Sequence, residues 1–234
     1  MQKDKKYILS TRPLPKKVTD DAAAQNVIIE ELSFIETKSI TDESTVARIK
    51  DLANQPLTVV FTSMNAVEAV ASQVNAIPDW KIYSIGNTTR KLIEEKWGAE
   101  KISGTAENAQ RLGELLIDDG VKVAIFFCGN VRRDELPNKI RSEGGRVEEL
   151  IVYKTEETPS AITKEYDAIL FFSPSAVSSF FSINKAPSKT ELFAIGKTTA
   201  ETLRRFAHKK IIVAHATDKS ELAKQAIDHL SKRK

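Results

Sequence analysis

Residues 192–203, LFAIGKTTAETL, set Gly196, Lys197, Thr198 and Thr199 between an apolar run and a helical pattern. Glycine, lysine and threonine in that order close the P-loop, whose backbone N–H groups and lysine hold phosphate. That loop needs a further glycine five residues earlier, where this chain has Glu191. No G-x-G-x-x-G follows any apolar run, so a dinucleotide site is unsupported as well. What remains is the chemistry of hydroxyls, amides and glycines at strand ends. They expose backbone N–H groups at the positive end of a helix dipole and suit anions. Such groups recur along the chain: Ser10, Thr11 and Arg12; Thr62, Ser63 and Asn65; Gly86, Asn87, Thr88 and Thr89; Gly104 and Thr105; Gly129 and Asn130; Ser173 and Ser175; and the Gly196–Thr199 group itself. Ordinary helix caps and turns use the same residue types. A rim of several such ends in each half is harder to explain that way, and two facing rims would make a cleft for a ligand with several negative groups.

Other catalytic patterns are poor. His208, His215 and His229 have no metal-like partners in the sequence, and no G-x-S-x-G elbow appears. Cys128 ends an apolar run and reads as a small buried hydrophobe. Tyr153 stands apart: it lies in the strand-like EELIVYKT and supplies a phenolic O–H.

The elements that must position these residues are duplicated. VVFTSMNAV (59–67) aligns with ILFFSPSAV (169–177), and IYSIGNTT (82–89) with LFAIGKTT (192–199), both at a shift of 110 residues. Ala106, Leu112 and Ile117 match Ala216, Leu222 and Ile227 at the same shift. The lysine of GKTT has Asn87 as its twin, so it is not part of the duplicated plan. A weaker pair, EELSFIET (30–37) and EELIVYKT (148–155), lies upstream of each copy at a shift of 118. Within a copy, short β-rich apolar runs alternate with helical patterns. Runs without strict polar alternation predict strands buried on both faces, hence two similar three-layer α/β/α domains with parallel, flavodoxin-like sheets. Asn108 and Asp218 are the expected caps of each copy's last helix, and Gly98 and Gly120 sit where helices would stop.

Composition sets the bounds. No stretch approaches the ~18 apolar residues of a membrane helix. The apolar run before Arg12 is too short for a secretory signal, and one cysteine excludes an intramolecular disulfide. These features predict a cytoplasmic protein. The 35 basic and 32 acidic residues nearly balance. With no aromatic platform or groove-reading motif beside Arg204, Arg205, Lys209 and Lys210, neither nucleic acid nor membrane is expected as a partner, and this group and the terminal SKRK read as solvated surface.

STRP, FTSMNAV, SIGNTT, GTAENAQRL, FFCGN with ELP, VYKT, FFSPSAV and AIGKTTA follow one another between residues 10 and 200, within a likeness that runs from about residue 7 to residue 227. The ordered set resembles the uroporphyrinogen-III synthases, with Met64 where some relatives carry proline. The resemblance implies two α/β domains joined by a two-stranded ladder. One would comprise 1–36 with 156–234 and the other 37–155, with linker strands near 30–37 and 148–155. It further implies cyclisation of hydroxymethylbilane to uroporphyrinogen III, with inversion of the last ring and loss of water, in tetrapyrrole biosynthesis. No cofactor or metal is implied; the partners would be the carboxylate-bearing substrate and, transiently, the preceding pathway enzyme. Tyr153 matches the usual catalytic candidate and Thr198 and Thr199 the family's cleft threonines. Ser63, Asn65, Gly86 to Thr88 and Ser173 fall on matching motifs. A non-catalytic two-lobe sensor of an anionic metabolite shares the architecture, but has no need of Tyr153. A receiver-type domain does not fit, since Asp118 and Asp119 lie near a helix end rather than at a strand end.

Overall fold

The computed structural model describes residues 5–215 and 218–232, so Ala216 of the repeat and the last two residues of the tail lie outside the described residues. The chain divides into two compact units, residues 1–36 with 156–234 and residues 37–155. In chain order the elements are β1 (Lys6–Ser10), α1 (Lys16–Ala23), β2 (Val27–Glu31), β3 (Ile35–Ser39), α2 (Glu43–Ala53), β4 (Leu57–Phe61) and α3 (Met64–Ala71). There follow β5 (Trp80–Ile85), α4 (Asn87–Trp97), β6 (Ile102–Ala106), α5 (Ala109–Asp118), β7 (Val123–Gly129), α6 (Glu135–Ser142) and β8 (Arg146–Glu157). The chain closes with β9 (Ala168–Phe171), α7 (Pro174–Ile183), β10 (Glu191–Ala194), α8 (Lys197–Phe206), β11 (Ile211–Val213) and α9 (Lys219–Ser231).

In the first unit the sheet order is β2-β1-β9-β10-β11, with parallel pairing throughout. Numbered along the chain this is 2-1-3-4-5, the flavodoxin-like order. The second sheet runs β3-β8-β7-β4-β5-β6. Its β8-β7-β4-β5-β6 core is parallel and repeats the same order, but here the chain enters at the third strand, making a circular permutation of the first unit. β3 is the added edge. Ile40 N–H donates to Val152 O at 2.9 Å and Thr158 N–H to Phe34 O at 2.9 Å, so β3 and β8 run in opposite directions. The ladder strand therefore begins at Ile35, not at Glu30: Glu30 and Glu31 end β2, and Phe34, between β2 and β3, is fully buried in the first unit's core.

Alternation along each strand explains the layers, because successive side chains point to opposite faces. Ile8 and Leu170 meet Val18, Leu222 and Ile227 of α1 and α9. Leu9, Ile169 and Phe171 meet Val177, Phe180 and Leu203 of α7 and α8. In the second unit Val59, Phe61 and Phe127 pack on α2, α3 and α4, while Val60 and Phe126 pack on α5 and α6. The helix ends follow the sequence. Asn108 Oδ1 accepts from Arg111 N–H at 3.0 Å, and Asp218 Oδ1 from Ser220 and Glu221 N–H at 2.8 and 3.1 Å. Arg204, Arg205 and Lys210 are exposed, but Lys209 is not solvated as expected. Its Nζ is turned inward to donate to the carbonyls of Pro187 and Thr190 at 2.7 and 2.5 Å.

Each unit also buries one tyrosine against a carboxylate. Tyr83 Oη donates to Asp119 Oδ2 at 2.7 Å, and Tyr166 Oη to Glu30 Oε2 at 2.8 Å. Burial first, then the hydrogen bond to a carboxylate, pushes each phenol up to about 12 from about 10. A raised phenol pKa favours the folded state below pH ~10, where both states hold the proton. That advantage is lost as pH rises through the folded value near 12. Denaturant titrations should therefore show stability falling between about pH 10 and 12, and Tyr83→Phe should shrink the fall; an alkaline limb unchanged by Tyr83→Phe would contradict it.

Candidate functional site

In the second unit the chain leaves β4 toward one face of the sheet through α3 and leaves β7 toward the other through α6. Neighbouring strands with diverging connections open a crevice at their carboxyl ends, where ligands of such sheets bind. The polar residues there are Thr62 and Ser63 after β4 and Gly129 and Asn130 at the end of β7. The first unit has the same arrangement between β1 and β9, whose chains diverge into α1 and α7. Thr11, Arg12 and Ser173 lie at that point.

Tyr153 of β8 joins the second unit's crevice through an irregularity. The β7–β8 register pairs Cys128 with Ile151 and then Gly129 with Tyr153, a bulge. The bulge breaks alternation, so Val152 and Tyr153, though adjacent, both contact the same core. The tyrosine is 9% exposed. Its ring closely approaches Gly129: a Cβ at that position would sit 2.5 Å from Tyr153 Cζ and 2.8 Å from its Oη. Only glycine leaves that space. Asn130 then holds the strand beyond the bulge. Its N–H donates to Tyr153 O at 3.2 Å, its Nδ2 to Thr155 O at 3.3 Å, and its Oδ1 accepts from Thr155 N–H at 2.8 Å. Ser63 caps α3, its Oγ accepting from Ala66 N–H at 3.2 Å and donating to Tyr153 Oη at 3.1 Å. Ser63, Gly129, Asn130 and Tyr153 thus form one connected cluster.

The other expected residues divide by how their polar groups are occupied. Thr62 and Asn65 are half-buried beside Ser63. Gly86 stands at φ +72°, a conformation that glycine tolerates best, and turns β5 into α4, leaving Asn87 and Thr88 exposed on the helix's first turn. Its twin Gly196 is extended, at φ −172°, so that glycine is not required by backbone conformation. Lys197 is exposed and Thr198 half-buried, whereas Thr199 is only 3% exposed and so the less accessible of the threonine pair. Thr11 is 2% exposed and its hydroxyl donates to Leu170 O at 2.8 Å, a bond that ties β1 to β9. Arg12 is exposed, and Ser175 half-buried in the first turn of α7. Ser173 caps α7 as Ser63 caps α3, accepting from Ala176 N–H at 3.1 Å.

Electrostatics favour anions at these rims. α2, α6 and α9 each carry a glutamate in the first turn, which offsets the helix dipole. The helices that follow the rim residues, α3, α4, α7 and α8, carry no acid there. Their N-terminal positive potential is uncompensated, and Lys197 adds to it. Cys128, next to the cluster, is buried, and that burial pushes its thiol up to about 11. Among the described residues no group of three His, Cys, Asp or Glu side chains is placed to hold a metal. The sequence did not reveal the Gly129–Tyr153 contact or the Asn130 clamp, since no local pattern announces a ring packed on a glycine 24 residues away.

Comparison with known proteins bears on the chain as a whole. The family model described as "Uroporphyrinogen-III synthase HemD" matches residues 17–224. The uroporphyrinogen-III synthase of Saccharomyces cerevisiae is 30% identical over 118 residues, a stretch covering 42% of this chain and 42% of the yeast protein. The structure of uroporphyrinogen-III synthetase from Helicobacter pylori superposes with a TM-score of 0.69 at 15% identity, covering 96% of this chain and 99% of that one. A mutant synthase from Thermus thermophilus gives 0.69 at 16% identity, covering 98% and 100%. At these identities the superpositions speak for the fold, and the family match over most of the sequence speaks for descent. The chain belongs to the uroporphyrinogen-III synthase family.

Proposed function

We propose that this chain cyclises hydroxymethylbilane to uroporphyrinogen III, with Tyr153 assisting loss of the substrate's hydroxyl. The observation that carries the reading is Tyr153 itself: a phenol fixed at a sheet crevice by Gly129, Asn130 and Ser63, beside the N-terminus of α3, whose first turn carries no acidic residue. The phenol O–H donates to the departing hydroxyl as its C–O bond breaks, and the oxygen leaves as water. The resulting azafulvene is attacked by the last pyrrole ring at its substituted carbon, giving a spiro intermediate that rearranges with that ring inverted. The enzyme's part is orientation, which is worth several kcal/mol when reacting atoms are held close. Asn87, Thr88, Lys197, Thr198, Ser173 and Ser175, with the N–H groups of the helices they begin, bind the acetate and propionate arms. Gly86, Gly196, Thr62, Asn65 and Arg12 border the same rims, whereas Thr11 and Thr199 shape them from beneath.

The reading places the reaction in the cytoplasm, in keeping with the lone buried thiol of Cys128. Transient contact with the enzyme that makes hydroxymethylbilane would shield a substrate that closes spontaneously to the I isomer. The test is to supply freshly generated hydroxymethylbilane and separate the oxidised products. The III isomer is expected to predominate; the I isomer alone, with tight substrate binding, would identify a sensor instead.

A further inference from the structure

We propose that Ser63 is a positioning residue that acts through Tyr153, not a contact for a substrate carboxylate. A serine hydroxyl has one proton and two lone pairs. In Ser63 one lone pair accepts Ala66 N–H, and the proton is given to Tyr153 Oη. Nothing is left to donate to an anion. The phenol oxygen, having accepted that bond, keeps its own proton for a donation elsewhere. The ring packs closely against Gly129, and the Ser63 bond fixes where the remaining O–H points. The duplication supplies an internal comparison: Ser173 makes the equivalent capping bond to Ala176 at 3.1 Å, but among the described residues no tyrosine is bonded to it. Capping is thus common to both copies, and the link to a phenol belongs to Ser63 alone. This assignment rests on the role given to Tyr153.

A double-mutant cycle separates the two, because residues acting as one unit are non-additive. Ser63→Ala should lower kcat for III-isomer formation about tenfold with KM little changed, as expected for loss of orientation in the transition state. Ser63→Gly keeps most of the helix cap while removing the hydroxyl, and should show the same loss of kcat. Ser63→Thr should restore most of it. In a Tyr153→Phe background, Ser63→Ala should cause no further fall. The 13Cζ resonance of labelled Tyr153 should move in Ser63→Ala and stay in place in Ser173→Ala, although both lose a cap and melt lower. An equal fall in kcat in both backgrounds, or a rise in KM in place of the fall, would overturn the assignment. An undiminished kcat in Tyr153→Phe alone would instead remove the role given to Tyr153, whatever Ser63 does.

Discussion

Tyr153→Phe is expected to slow formation of uroporphyrinogen III on the order of 100-fold, the scale of a positioned proton donor. The product that still forms should shift toward the I isomer, because spontaneous closure needs no enzyme. The ring remains, so its packing on Gly129 and its place in the aromatic core are kept. Only the phenol oxygen goes, leaving Ser63 without its acceptor at a cost of about 1 kcal/mol. Melting should accordingly change by only a few degrees while the rate collapses. Isomer separation and thermal melting on the same preparation check this. A full rate with the III isomer retained would remove the phenol from the mechanism.

Gly129→Ala is expected to be as damaging by a different route. The added Cβ would lie 2.5 Å from Cζ and 2.6 Å from Cε2 of Tyr153, too close for either to stay. The ring cannot retreat inward, since it already abuts a core holding Phe127 and Val59. It must move outward or push β8 off β7, and overpacking of this kind costs about 1–3 kcal/mol. Activity should fall with it, because the phenol leaves its place beside Ser63. Combining Gly129→Ala with Tyr153→Phe should not relieve the clash, which involves ring carbons; combining it with Tyr153→Leu should recover stability but not activity. Melting temperatures of the three variants decide the matter. A fully stable and active Gly129→Ala would show that the close approach is unimportant.

The sequence was most readable where function and fold are local. The 110-residue shift appeared because each copy builds the same strand, cap and helix, and caps such as Ser63, Ser173, Asn108 and Asp218 sit within three residues of the N–H groups they meet. What could not be read is non-local. Ser63 and Tyr153 are 90 residues apart, and Asn130 reaches Thr155 across 25. Asn130 and Thr11 have the composition of ligand donors, yet their side chains bind backbone carbonyl or N–H groups of neighbouring strands. The break inside EELSFIET was hidden for another reason. Its apolar residues suit a continuous strand, and only tertiary packing sends Phe34 into one core while Ile35 starts a different sheet.

The discontinuous first unit carries a consequence for synthesis on the ribosome. β1 lies mid-sheet with Ile8 and Leu9 fully buried, but its neighbour β9 pairs Ile8 with Ala168, 160 residues later. At roughly 5–20 residues per second, β1 waits about 8–32 s after it is made for that neighbour to be translated. Meanwhile residues 37–155 are translated as one uninterrupted segment and have every strand of their parallel core. Folding of that segment shortens the path between β1 and β9 and lowers the entropy of closing it. The nascent chain thus gains from completing its middle before its ends, and until then the exposed edge of β1 is what a chaperone would have to cover.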